Sequence, residues 1–224
     1  TCRLGYSEES PEDTNAVYRD RDYPPIAISD YQDNAEYRKR RFGAERLSII
    51  AEHLGRERKG ARLLDVGCGT GWFLECAKEA GFDVSGLELG RELAEFTSDR
   101  LGIEVWNKPL SEMPIGDPFD VITLFDVLEH VPDPKETLAR IYGLLKPGGI
   151  ALFFVPNLES LGFKILRGNS SLCMPVEHLF YFTESALRPV LEQAGFQTVY
   201  FSTRGMDIPD LYSYNRDVME RPDV

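Results

Sequence analysis

Short hydrophobic runs alternate with amphipathic stretches through the middle of the chain. From residue 61 the text ARLLDVGCGTGWFLECAKEAGFDVSGLELG predicts a strand, a glycine turn, a helix closed by Gly81 and a second strand that ends at Glu88. The helical stretch RELAEFTSDRLG and a short strand at IEVW follow. The next run, FDVITLF, is almost entirely apolar, which is typical of a strand covered on both faces. The pattern is therefore that of successive βαβ units.

Capping residues mark two further helices. Asp133 is the predicted N-cap of a helix that opens with Pro134, and Glu136 completes a capping box. A Pro-Gly-Gly sequence ends this helix, and IALFFVPN is a fifth buried strand. After an irregular stretch at 157–177, Thr183 caps the helix ESALRPVLEQAG, which leads into a predicted strand at FQTVYFS.

This alternation predicts an α/β fold: a doubly wound, mostly parallel, Rossmann-like sheet with helices on both faces and a ligand site beyond the carboxyl ends of the strands. We expect an N-terminal segment with cover helices at 1–54, a core at 55–204 with a lid at 157–182, and a C-terminal tail at 205–224 that is disordered or truncated. The tail lacks the pattern of a seventh strand that would close the sheet, so loss of such a strand, or excision of the chain from a larger protein, is left open. An edge exposed by such a loss favours pairing between chains, and we expect a monomer or a homodimer.

Composition narrows the function classes. With 224 residues, 42% of them hydrophobic, the chain can bury one sizeable core. No run reaches the roughly 18 apolar residues of a membrane span, and the start carries no signal pattern, so we expect no membrane partner. The formal net charge of -12 argues against a nucleic-acid partner. The 4 cysteines form no CxxC pair, which favours a reducing, cytoplasmic location.

The first turn, DVGCGTG, carries glycines at 67, 69 and 71. A dinucleotide-binding fingerprint requires glycine where this chain has Trp72, which argues against NAD. The GxGxG spacing instead suits a nucleoside without a pyrophosphate. Glu88, at the end of the next strand, can accept hydrogen bonds from two ribose hydroxyls because a carboxylate has only acceptor sites.

Four motifs in order, LLDVGCGTGWFL, GLELG, PFDVITLFDVLEHVPDP and LLKPGGIALFFVPN, resemble those of the class I S-adenosylmethionine-dependent methyltransferases, in the small-molecule branch called type 11 and type 12. The resemblance covers roughly residues 40–202. It implies an enzyme that uses S-adenosylmethionine, releases S-adenosylhomocysteine and methylates a small-molecule acceptor. The cofactor-binding residues that it implies are Asp65, Gly67, Cys68, Gly69, Gly71, Glu88, Leu89, Leu110, Ser111 and Phe125.

One position departs from the family pattern, and the cover helices allow two interpretations. Family members often carry an acid where this chain has Pro109, so adenine recognition must rest on backbone groups near Leu110 and Ser111, with apolar packing from Leu89 or Met113. In the cover helices at 29–54, three residues can either contact the cofactor carboxylate or simply pack against the core. These residues are Tyr31, Tyr37 and Arg41.

The acceptor side contains two histidines. His130 follows the fourth strand, and His178 stands in PVEHLFYFT after the irregular stretch. The second phrase resembles the Tyr-x-Glu-His-Leu-x-Tyr-Phe pattern of certain sugar C-methyltransferases, with Glu177 and His178 matched but Pro175 in place of the tyrosine. We therefore expect O-methylation of a hydroxyl, with His178, Glu177 and His130 as the catalytic residues. Sugar C- or N-methylation is the alternative, and a non-catalytic regulatory module that binds S-adenosylmethionine is an alternative of another class.

A metal site is a further alternative. Asp126, Glu129 and His130 stand at spacings of three and four, and with His178 they resemble the Glu-x-x-Glu-His plus distant His arrangement of metal-dependent RNA 2′-O-methyltransferases and of ubiquinone-pathway O-methyltransferases. Here the first acid is the shorter Asp, and the same phrase is widespread in type 11 members that need no metal. We therefore predict no metal ligand, with a divalent ion at these four residues as the minority alternative.

Overall fold

The computed structural model describes residues 5–6, 23–55, 57–114, 116–166, 173 and 178–203. A π-helical segment at Lys39–Gly43 joins the first two helices, and Leu110–Glu112 forms a short 3-10 turn. The helices are α1 (Tyr23–Arg38), α2 (Ala44–His53), α3 (Trp72–Glu79), α4 (Arg91–Leu101), α5 (Pro134–Leu144), α6 (Leu161–Leu166) and α7 (Glu184–Gln193). The strands are β1 (Gly5–Tyr6), β2 (Arg62–Val66), β3 (Asp83–Leu87), β4 (Val105–Trp106), β5 (Phe119–Phe125), β6 (Leu145–Phe154) and β7 (Phe180–Tyr181).

The main sheet has five parallel strands in the order β4-β3-β2-β5-β6. The chain starts in the middle at β2, winds outward through β3 and β4, and then returns to form β5 and β6 on the other side. The carboxyl ends of β2 and β5 are therefore the switch point of a doubly wound fold, where a crevice opens between diverging loops. The predicted α/β class is confirmed.

Alternate residues of the central strands enter two separate cores. Leu63 and Val121 belong to a cluster with Phe73 on one face of the sheet. Leu64 and Ile122 pack on the opposite face. Covered on both faces, β5 is buried along almost its whole length, as its apolar sequence predicts.

Both predicted N-caps are confirmed. The Asp133 carboxylate accepts hydrogen bonds from the backbone N–H groups of Lys135 and Glu136 at 2.9 and 3.0 Å. The Thr183 hydroxyl accepts one from the Ala186 N–H at 3.2 Å. These caps start α5 and α7 immediately after the loops at the carboxyl edge of the sheet, so they fix where those loops end.

The strand predicted at FQTVYFS is wrong. Phe196 packs on Tyr142 and Phe153, with ring centroids 5.3 and 5.8 Å apart, but Val199 is 65% exposed and Phe201 is 41% exposed. Because only the first residue is anchored in a core, alternation alone does not bring the segment into the sheet. Within the described residues, no antiparallel seventh strand joins the five.

The structure adds a pairing that the sequence analysis did not predict. Gly5–Tyr6 forms a two-stranded antiparallel sheet with Phe180–Tyr181. Of the predicted lid at 157–182, the structure describes α6, β7 and the residues next to them. The predicted tail at 205–224 and Glu177 lie outside the described residues.

Candidate functional site

The glycine loop between β2 and α3 has a backbone that other residues would strain. Gly67, Gly69 and Gly71 have φ of 71, 52 and 73°, in the left-handed region. A Cβ on Gly71 would lie 2.4 Å from the Thr97 Cγ2 atom, so this position also lacks room for a side chain. A Cβ on Gly69 would meet nothing within 4 Å. The loop is therefore packed on one side and open on the other, where a ligand can reach bare backbone.

Glu88 ties this loop to the next one. The side chain is buried, and its two oxygens accept hydrogen bonds from the N–H groups of Gly69 and Gly90, each at 2.8 Å. The Asn107 amide donates to the carbonyls of Glu88 and Leu89 at 2.9 and 2.8 Å, which fixes the turn after β3. Burial raises the pKa of Glu88, and the backbone N–H groups oppose that rise. A carboxylate has about four acceptor positions, so acceptor capacity remains for ribose hydroxyls.

Asp65 and Cys68 lie below the loop surface. The Asp65 carboxylate is buried in β2 and accepts a 2.6 Å hydrogen bond from the Thr123 hydroxyl. Burial raises its pKa to about 7, against the lowering effects of that bond and of Arg46. The Cys68 thiol points toward Gly86, where an added Cβ would lie 2.7 Å from its sulfur, and burial raises its pKa well above the ordinary value. Only the backbone of Cys68 is therefore suited to contact with a ligand.

The residues predicted to contact adenine lie around the 3-10 turn. Leu110 is half-buried and Ser111 is exposed, so both border open space. Met113 is instead buried in the core beside Leu87 and Trp106, which removes it from direct contact with a ligand. The packing role suggested for Met113 is thus a role in the core.

Arg46, on α2, is a candidate that the sequence analysis missed. It is only 9% exposed, and its guanidinium carbon lies 3.8 Å from the Phe125 ring centroid, 4.8 Å from the Trp72 centroid and 5.2 Å from the Phe154 centroid. Its Nη1 atom is buried without a hydrogen-bond partner among the described residues. Burial lowers its pKa, while the negative charges of Asp126 and Asp65 oppose this. A cation is thus held at the carboxyl ends of β5 and β6 with a free donor.

The three cover-helix residues considered for contact with the cofactor carboxylate form other contacts or are exposed. The Tyr31 hydroxyl donates to the Glu75 carboxylate at 2.9 Å. Tyr37 is 54% exposed, and Arg41 is exposed with an ion pair to Glu45 at 3.6 Å. The signal for Arg46 in the sequence was an arginine one helical turn before the buried Ile50, on the apolar face of α2.

The acceptor-side histidines lie together. The His130 and His178 rings are edge to face, with centroids 4.6 Å apart, and the His130 Nε2 atom is 3.9 Å from Glu129 Oε1. One ligand atom from each of these three residues lies within 4.8 Å of the others. The backbone carbonyl of Glu129 accepts hydrogen bonds from the N–H groups of Leu179 and Phe180, which attach the end of the predicted lid to the turn after β5.

Glu129 is an unusual member of this cluster. Its side chain is fully buried, and neither carboxylate oxygen accepts a hydrogen bond from the described part of the chain. Burial, helped by the negative charge of Asp126, raises its pKa to about 8, which favours the protonated carboxyl near neutral pH.

Asp126 does not join the cluster. The residue is exposed as a whole, although burial of its carboxyl raises the pKa of Asp126, and the chain forms a turn here rather than the helix on which the three spaced residues would share a face. With φ of 56°, it is the only non-glycine residue of the described ranges with positive φ. Such strain is costly for a side chain and is frequent at functional sites.

Taken together, a glycine loop at the switch point of a parallel sheet and an acid at the end of the neighbouring strand define a nucleoside-binding α/β domain. The chain belongs to a methyltransferase family, because a family model described as a methyltransferase domain matches residues 35–200. The open backbone at Gly69, the acceptor capacity of Glu88 and the free donor of Arg46 fit the cofactor of that family, S-adenosylmethionine.

Curated relatives are similar over part of their length. The ubiquinone biosynthesis O-methyltransferase of Bordetella avium (strain 197N) is 34% identical over 125 residues, which are 53% of this chain and 52% of that protein. The protein of the same name from Methylococcus capsulatus is 37% identical over 105 residues, 44% of each chain. The chain spans about half the length of these relatives.

Solved structures share the fold. An S-adenosylmethionine dependent methyltransferase from Mesorhizobium loti has a TM-score of 0.59 and 20% identity, over 81% of this chain and 94% of that one. Phosphoethanolamine N-methyltransferase 2 of Haemonchus contortus, in complex with S-adenosyl-L-methionine, has a TM-score of 0.57 and 20% identity, over 80% and 43%. In the part of the chain that the structure describes, no helix has the length and apolarity to cross a membrane.

Proposed function

We propose that the chain transfers a methyl group from S-adenosylmethionine to a hydroxyl of a small-molecule acceptor. The observation that carries this proposal is the cluster of His130, His178 and buried Glu129 at the exit of β5, next to the carboxyl ends that border the cofactor crevice. The names of the curated relatives, which are O-methyltransferases, support transfer to oxygen.

The cofactor, when bound, supplies a methyl group that is attached to a sulfonium sulfur. Because this sulfur is the leaving group, the protein need not form a covalent intermediate. The chain has to bind and orient both partners, exclude water and accept the hydroxyl proton. An imidazole is suited to accepting that proton near neutral pH. His178, which is 5% exposed, and the half-buried His130 present two such rings in one place.

Glu129 supports the histidines in this proposal. As a protonated carboxyl it has an O–H that can donate to a ring nitrogen and so select one tautomer. The 3.9 Å separation from His130 Nε2 is longer than a hydrogen bond, and catalytic contacts often tighten only when substrate binds. Glu177, which the sequence analysis also assigned to proton transfer, lies outside the described residues.

On the cofactor side we assign four tasks. Arg46 binds the methionine carboxylate, because it is a buried cation with an unused donor beside the crevice. Glu88 accepts from the ribose hydroxyls, and the open side of the loop at Gly69 contacts the methionine part. Leu89, Leu110 and Phe125 contribute apolar packing around the crevice.

Metal binding is a second candidate function for the same cluster. Glu129, His130 and His178 bring three donor atoms within 4.8 Å of one another, a spacing that a divalent ion can bridge. A bound ion would orient an acceptor with neighbouring hydroxyls. The geometry does not include Asp126, which leaves three donors in place of the four in the sequence motif.

The test is methyl transfer from S-adenosylmethionine to a panel of phenols, catechols and sugars, with and without EDTA. We expect O-methylated phenols or catechols, and we expect the activity to persist after chelation. If EDTA abolishes the activity and Mg²⁺ restores it, the cluster binds a metal ion. Cofactor binding without methylation of any acceptor, with Mg²⁺ added, supports a non-catalytic module and overturns the proposal.

A further inference from the structure

Two side chains of α4 hold consecutive carbonyl groups of the glycine loop. The Thr97 hydroxyl donates to the Gly69 carbonyl at 2.8 Å, and an Arg100 guanidinium nitrogen donates to the Thr70 carbonyl at 2.8 Å. Thr97 and Arg100 are three residues apart, so they lie on one face of α4. The Gly69 N–H is also bound, by Glu88. The peptide groups on both sides of Gly69 are therefore held by hydrogen bonds within the chain.

Arg100 also connects this loop to the N-terminal helices. Its other terminal nitrogen forms an ion pair with Glu75 of α3 at 2.7 Å, and its guanidinium carbon lies 4.3 Å from the ring centroid of Tyr31 on α1. Glu75 receives two more donors, the Tyr31 hydroxyl and the Lys39 ammonium, each at 2.9 Å. Burial raises the pKa of Glu75, but these three donors outweigh it and lower the pKa, so the carboxylate stays charged.

These contacts define a chain of interactions from α1 and the π-helical segment, through Glu75 and Arg100, to the Thr70 carbonyl. Glycines in the left-handed region lose more conformational freedom on ordering than other residues. Contacts that order the loop in advance remove that cost from ligand binding. We propose that Thr97 and Arg100 are positioning residues, which preorganise the glycine loop for S-adenosylmethionine, and that Arg100 makes this order depend on the docking of α1.

Isothermal titration with S-adenosylmethionine tests the proposal without any acceptor. Arg100→Met removes both hydrogen bonds but keeps an apolar stem against Tyr31. We expect its Kd for the cofactor to rise about tenfold or more, since each charged bond is worth about a factor of ten. Arg100→Lys keeps the charge but not the two-partner geometry and should give an intermediate Kd. Thr97→Val should raise the Kd severalfold through the Gly69 carbonyl alone.

The matched control lies on the same helix. Arg91 forms an ion pair with Glu95 one turn away, and both side chains are exposed to solvent. Arg91→Met should leave the Kd within twofold of the unaltered chain. Amide hydrogen exchange supplies the second readout, because it reports local order. Glu75→Gln, which changes no loop contact directly, should speed exchange in both α1 and residues 67–71.

A merely structural role for Arg100 would lower the melting temperature and leave the cofactor Kd of the folded protein unchanged. That result, or a Kd that rises equally in Arg91→Met, overturns the proposal. Where an acceptor is known, KM for the cofactor should rise while kcat at saturating cofactor stays within about twofold. If Arg100→Met fails to fold, Thr97→Val and Glu75→Gln decide the outcome by the same measurements. A wild-type chain that binds cofactor but methylates nothing would contradict the function proposed above and leave this inference intact.

Discussion

The rings of His130 and His178 meet edge to face with centroids 4.6 Å apart, although one follows β5 and the other precedes β7. The Leu179 and Phe180 N–H groups, bound to the Glu129 carbonyl, hold the second segment against the first. Two histidines brought together by backbone pairing, beside the crevice of a methyltransferase fold, provide the chemical basis of the function proposed for this chain.

Replacing either histidine should lower turnover without weakening cofactor binding. For His130→Ala and His178→Ala we expect kcat to fall by about 10²- to 10⁴-fold, the usual contribution of a general base. His53→Ala is the control, because His53 lies on α2 outside this cluster, with its Nδ1 atom 2.9 Å from the Ile49 carbonyl oxygen. Steady-state kinetics and cofactor titration check both expectations. Full activity in both cluster variants would remove the histidines from the mechanism.

Arg46 should matter for cofactor affinity. Arg46→Met should raise the Kd for S-adenosylmethionine by about 10- to 100-fold, because a charge-assisted hydrogen bond is worth about 1.5–3 kcal/mol. Arg41→Met, an exposed arginine of the same N-terminal region, should have no effect. The measurement is isothermal titration. Equal affinities in the two variants would show that Arg46 only packs against its aromatic neighbours.

A comparison of alanine substitutions at Gly71 and Gly102 distinguishes backbone strain from steric crowding. Both have positive φ, 73 and 60°, so alanine at either position carries a similar strain of about 1–2 kcal/mol. An added Cβ at Gly71 would also lie 2.4 Å from the Thr97 Cγ2 atom, whereas at Gly102 it would meet nothing within 4 Å. Gly71→Ala should abolish cofactor binding and Gly102→Ala should retain it. Unimpaired binding by Gly71→Ala would contradict the described loop packing.

Glu129 should make stability depend on pH. Its pKa is about 8 in the folded chain, above the ordinary 4.5, so between these values the folded state holds a proton that the unfolded state has released. The free energy of unfolding therefore falls as pH rises through this window, by up to about 1.4 kcal/mol per pH unit from this group. Glu129→Gln cannot ionise and should flatten that dependence. Asp65, with a pKa raised to about 7, keeps part of the slope.

Denaturant unfolding between about pH 5 and pH 8 measures this difference. The control is Glu95→Gln, which removes an exposed carboxylate of α4 and should leave the slope unchanged. A Glu129→Gln slope equal to that of the unaltered chain would show that the Glu129 carboxyl ionises in the folded state as it does in water.

Local signals in the sequence predicted much of the fold. The N-caps Asp133 and Thr183 are specified by residues within three positions, and they were located correctly. The loop glycines and Glu88 follow directly from strand ends, which the apolar runs mark. The segment after α7 was predicted wrongly, because whether Val199 is covered depends on neighbours that are distant in sequence.

Features of the site that depend on distant contacts were not predicted. Arg46 is framed by Trp72, Phe125 and Phe154, which come from three separate elements. Its position on the apolar face of α2 indicates burial but not this convergence. Glu129 is likewise buried where residues distant in sequence meet, since the Leu179 and Phe180 N–H groups bind its backbone carbonyl. Asp126 lies outside the cluster because the chain forms a turn here, where its spacing to Glu129 and His130 would share a face only on a helix.

The most direct test of the account is transfer of a ¹³C-labelled methyl group from S-adenosylmethionine to an acceptor with both hydroxyl and carbon positions open, such as a catechol. The carbon chemical shift of the product distinguishes an O-methyl from a C-methyl group. We predict label on oxygen, with the yield strongly reduced in His130→Ala and His178→Ala. Label on carbon, or label on oxygen with equal yield in both variants, would contradict histidine-assisted O-methylation.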